Sequence, residues 1–121
     1  MRLLYPDRLY VSVQFLEPDE VRRRYDAVAM FIDNPLRFDV SGENMRLKTR
    51  KLGTVVFGKD NFGGGIVAHE LLHATFKWAK AVQLWDKGED HETEERICEQ
   101  LGFTVMQFWN AYYEQKEINA V

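Results

Sequence analysis

Two histidines four residues apart, His69 and His73, with Glu70 directly after the first, are the side chains of this 121-residue chain best suited to chemistry. On an α-helix, positions i and i+4 lie one above the other on the same face, so both imidazoles can aim at one point. That is how two ligands of a tetrahedral zinc ion are presented. Glu70 is rotated by about 100° from His69, which sets its carboxylate beside such an ion rather than on it. From there it can act as a general base on a coordinated water, whose pKa zinc lowers to about 7. The chemistry in view is metal-assisted hydrolysis with one Zn2+ ion.

Zinc in a hydrolase takes a third protein ligand and leaves the fourth position open. The metzincin spacing requires glycine three and histidine six residues after the second histidine; here those positions are Phe76 and Ala79, so that arrangement is excluded. The remaining candidates lie in "EDHETEERICEQLGFTVMQFW". At 100° per residue, Ile97, Cys98, Leu101, Val105, Phe108 and Tyr112 form one apolar arc. Glu94 projects onto its middle, Glu95 lies at its edge, and Glu92 and Glu99 point away. A carboxylate centred on a core face needs a partner, and zinc would be one. Glu94 is therefore the first choice for the third ligand and Glu95 the second. His91 reads better as a loop residue near a helix start, and Cys98 as a small buried apolar residue.

These side chains have to be positioned by regular elements. "GGGIVAHELLHATFKWAKAVQL" keeps a helical period to about Leu84, and "GTVVFG" before it signals a strand. The three glycines at its entrance bring the helix close to that strand, leave room for a substrate, or form a flexible connection. Upstream, Leu9, Val11, Val13 and Phe15 alternate with polar residues as a half-buried strand does. "EPDEVRRRYDAVAMFIDNP" reads as a helix with Pro18 in its first turn, burying Val21, Tyr25, Val28, Ala29 and Ile32 and ending at Asp33-Asn34-Pro35. Residues 36–40 and 45–58 are strand candidates around a turn at Ser41–Asn44, the second interrupted near Lys51 or Gly53. After a polar loop, "DKGEDHETE", a last helical region runs from 93 to about 116, bent or divided at Gly102. The expected fold is α+β: one domain, 1–121, with a small mixed sheet, a backing helix, the histidine helix and a C-terminal helix carrying the glutamate, all packed on one sheet.

A net charge of −3 gives no field for nucleic acid or anionic lipid. The basic runs Arg22-Arg23-Arg24 and Arg46 to Lys51 read as a solvated helix face and a charged sheet edge. No segment has membrane-spanning length, no signal peptide is recognisable, and the single cysteine, Cys98, suits a reducing compartment. A cytoplasmic protein without nucleic-acid or membrane partners is expected.

With "HELLH" at 69–73 and "ETEERICEQLG" at 92–102, the chain resembles the zincin metallopeptidases. More narrowly it resembles the small gluzincin-like, single-domain proteins of phages and mobile elements, in the style of the ImmA/IrrE group. The resemblance, over about residues 53–108, implies zinc at His69, His73 and Glu94 (or Glu95), with Glu70 as general base. It also implies an edge strand above the metal, within 45–57, that binds an extended peptide. No residue falls in a motif for an oxyanion stabiliser. Two functions follow: a zinc-dependent peptidase for a dedicated protein or peptide substrate, or a zinc-holding interaction module with slight or no turnover. For the module, Phe103, Met106, Trp109 and Tyr113 would form an exposed aromatic surface; packing under the sheet is the competing expectation for them.

Overall fold

The computed structural model describes residues 1–84 and 91–119. The strands are β1 (Arg2–Leu4), β2 (Tyr10–Leu16), β3 (Ala29–Asp33), β4 (Phe38–Ser41), β5 (Asn44–Leu47) and β6 (Lys51–Gly58). The helices are α1 (Pro18–Tyr25), α2 (Gly64–Ala81) and α3 (His91–Asn119). The polar connection expected after Trp85 lies outside the described residues up to Asp90.

Four strands form one mixed sheet in the order β1-β2-β6-β3, with β2 parallel and β1 and β3 antiparallel to their neighbours. β6 is central and its residues from Leu52 to Gly58 are buried or nearly so, as a strand covered on both faces requires. Val55 and Phe57 join the core under α2 and α3. On the other face, Val56 and the fully buried Val21 of α1 lie apart from that cluster. Gly58 allows this second contact, because a Cβ there would stand 3.3 Å from the Cα of Pro18 at the start of α1. The helices thus cover both faces, α1 on one and α2 with α3 on the other, instead of packing on one.

α1 is shorter than its apolar spacing predicts. Asp26 adopts a left-handed conformation (φ 52°) and stops the helix after Tyr25. "AMFID" then alternates about the sheet as β3: Ala29 and Phe31 turn toward α2, while Met30 and Ile32 are exposed. A β-bulge between β2 and β6 falls where Gly53 pairs with Val11. Gly53 admits the Phe31 ring, which would lie 2.6 Å from an added Cβ.

Residues 38–47 make a separate two-stranded hairpin. Its Phe38, Val40 and Met45 are exposed, as is Arg46. The other basic run, Arg22 to Arg24, lies exposed on α1 as expected.

Aromatic rings carry much of the core: Phe57 and Phe108 are fully buried with centroids 5.4 Å apart, and Phe62 packs on both. Each such ring contributes about 1.5–3 kcal/mol by leaving water. Tyr5 lies between α2 and α3, its hydroxyl 3.0 Å from Thr75 Oγ1. Burial pushes the Tyr5 hydroxyl above its ordinary pKa, and hydrogen bonds with Thr75 and Thr104 pull it partly back.

α3 runs unbroken through Gly102. Its buried positions are Thr93, Gln100, Thr104 and Phe108. Gln100 Nε2 donates to Thr104 Oγ1 at 3.2 Å, and Thr104 donates to the Gln100 carbonyl, so these polar residues are buried with their hydrogen bonds made.

Candidate metal centre

α2 buries Val67, Leu71, Ala74 and Trp78 and turns His69 and His73 to the opposite, exposed side. The two Nε2 atoms are 3.3 Å apart and the rings are nearly perpendicular, at 79°. Two nitrogens each about 2.0–2.1 Å from one tetrahedral ion are separated by about 3.3 Å. That separation is also hydrogen-bond distance, one imidazole donating to the other, so the spacing is compatible with a shared zinc ion that would take the place of this hydrogen bond, and the donor set suits that metal.

Glu70, about 100° round the helix, is only 8 % exposed. It lines an open cleft of about 530 Å³ together with His69, Gly65, Ile66 and the segment Ala27–Ala29 that leads into β3. Among the described residues Glu70 has no hydrogen-bond or ion-pair partner. An added Cβ at Gly63, Gly64 or Gly65 would meet nothing within 4 Å, so these glycines do not serve close packing, and Gly65 leaves space in the cleft lining.

The segment Ala27–Ala29, where the chain enters β3, forms the cleft's far wall. Ala29 stands beside Ile66 and Glu70 at one end of the strand, and at the other Asp33 accepts an ion pair from Lys77, one turn beyond His73. β3 bonds to β6 on one side only and is an edge of the sheet. The opposite edge is covered in part: Gln107 of α3 accepts from the Leu4 amide at 2.6 Å and donates to the Leu4 carbonyl at 3.2 Å. The edge strand expected within 45–57 is thus misplaced, since β6 is central and β3 borders the site.

Glu94 and Glu95 do not join the histidines. Both are exposed, because in the first turn of α3 the covered side belongs to Thr93, 4 % exposed and about 100° round from Glu94. α3 also meets α2 along Trp78 and Val82, which line a cleft with Arg96, Gln100 and Phe103. Trp78 is about 140° round α2 from His73. His91 and Cys98 are exposed too, the latter against its expected burial. No group of three His, Cys, Asp or Glu among the described residues is gathered to hold a metal. Phe103, Met106 and Tyr113 are more than half exposed, so they form surface rather than core, with Trp109 partly buried.

Reading the sequence alone missed the wall at the start of β3 and the Lys77–Asp33 tie. The alternation in "AMFID" and the placing of Lys77 four residues after His73 are the signals that mark them. No helix among the described residues is long and apolar enough to cross a membrane. No protein-family model, curated protein or solved structure matches this chain.

Proposed function

We propose that the chain is a zinc-dependent peptidase acting on a protein or peptide substrate. The observation that carries this reading is the 3.3 Å separation of the His69 and His73 Nε2 atoms, in a pair whose neighbour Glu70 shares a cleft with His69. His69 and His73 would hold the ion, which supplies Lewis acidity and an acidified water. Glu70 holds the proton taken from water on its carboxylate and passes it to the amine that leaves. Its low exposure and lack of a partner keep that carboxylate available for the transfer. The outer edge of β3, from Ala29 to Asp33, offers backbone groups that an extended substrate strand can pair with. The Asp33–Lys77 ion pair steadies that edge against α2.

Incubating parent and Glu70→Gln proteins, each zinc-loaded, with a peptide library and reading new termini by mass spectrometry tests the reading. Cleavage by the parent alone, with equal zinc in both, is expected. Equal cleavage by both, or none by either, contradicts it. A second reading, a zinc-holding interaction module, draws on a specific feature: the histidines are exposed and lack a third protein ligand among the described residues. Zinc uptake without any cleavage selects it.

A further inference from the structure

The histidine pair presents half of a tetrahedral site to solvent. A zinc ion on His69 and His73 would keep two positions for which no described carboxylate, cysteine or third histidine is in place. We infer that a second copy of this chain fills them: one divalent ion is held by His69 and His73 of two copies, which gives a zinc-bridged dimer. The inference rests on the metal assignment above but not on turnover.

Two observations support it. First, the pair is on the outside of α2, where another molecule can reach it, and its nitrogens already have the spacing of one tetrahedral edge. The opposite edge of a tetrahedron has the same length and lies at right angles, so an identical pair related by a two-fold axis completes it. Second, Gly65, Leu72 and Phe76 share that side, and Leu72 and Phe76 are only partly buried. The charges on it, Lys77 and Lys80, lie one and about two turns beyond His73, and Lys77 is paired with Asp33. Leu72 and Phe76 would pack across the axis beside the ion. A contact confined to the turns around two crossing helices would fall short of the about 1,200 Å² that a stable interface buries, so on this proposal the metal-free chain is a monomer and association follows the ion. Because the second pair occupies the positions that hydrolysis would use, the dimer is the closed form of the site, and excess zinc or dilution opens it.

Sedimentation of the full chain, first stripped of metal and then titrated with zinc chloride, tests this directly. At half an equivalent of zinc per chain the mass is expected to reach twice the 14.2 kDa of one chain. Further zinc returns it toward the monomer as each chain takes its own ion. His69→Ala and His73→Ala, both at exposed positions, should remain monomeric throughout with unchanged circular dichroism. Leu72→Arg should bind zinc one to one without dimerising. A parent that binds one zinc per chain and never leaves the monomer mass overturns the dimer and leaves the metal assignment standing. A parent that takes up no zinc overturns both.

Discussion

Replacing Glu70 by glutamine should make the protein more stable while it removes the proposed activity. The side chain is 8 % exposed, with no hydrogen bond or ion pair among the described residues, yet it carries a carboxylate. A buried polar group without a partner costs about 1–3 kcal/mol in proteins. The Glu70 oxygens keep contact with the open cleft, which relieves most of that. The favourable interaction of acids with a helix N-terminus fades within the first turn, and Glu70 lies in the second turn of α2. The amide keeps the shape and removes the charge, so a gain of about 1 kcal/mol is expected, raising the midpoint of thermal unfolding by about 3–5 °C in a domain of this size. Calorimetry of metal-free parent and variant at neutral pH reads it. Such a trade between stability and activity marks a side chain kept for function. A loss of 1 kcal/mol or more would show that Glu70 is a structural residue, and the general-base assignment would lose its physical support.

Gly53→Ala should cost about 3 kcal/mol, at the upper end of overpacking effects, because the new methyl runs into the Ile32 carbonyl and the Phe31 ring; urea unfolding with a change under 1 kcal/mol would mean that β3 moves freely. Tyr5 keeps its proton above the ordinary tyrosine pKa of 10.0 in the folded state. Its contribution is therefore fully present below the unfolded value and is lost as pH rises through the folded one. The parent should lose stability above about pH 10 more steeply than Tyr5→Phe; parallel stability curves for the two proteins would refute this. Zinc at a hundred times its dissociation constant should stabilise the parent by about 2.7 kcal/mol and leave His73→Ala unchanged; an equal shift in both proteins would place the ion elsewhere.

The local architecture of α2 was legible because its signals are local: a histidine pair at i and i+4 stacks on any helix, and nothing in the tertiary structure needs to be known. β2 was legible for the same reason, since Val11 and Val13 alternate inward. β3 was not. Val21, Tyr25, Val28 and Ala29 satisfy a helical period, but the left-handed Asp26 and the pairing of Ala29 to Asp33 with β6 decide the outcome, and the partners in that pairing, from Asp33–Gly53 to Ala29–Phe57, are far apart in sequence. The covered side of α3 was obscured differently. Hydropathy favours Cys98 over Gln100 and Thr104, yet the latter two bond to each other and are buried, while Cys98 is exposed. An acid placed on the arc by phase alone, Glu94, then lies off the covered side, which in that turn belongs to Thr93. The fit of the histidine nitrogens to a tetrahedral edge depends on rotamers and is visible only in coordinates.

Metal analysis of protein purified without added metal, parent beside His69→Ala and His73→Ala, bears most directly on whether the two imidazoles hold an ion. Zinc at half to one equivalent per chain in the parent, and background levels in both variants, is the predicted result. Equal zinc in all three proteins, or none in the parent even after loading and dialysis, would contradict the assignment.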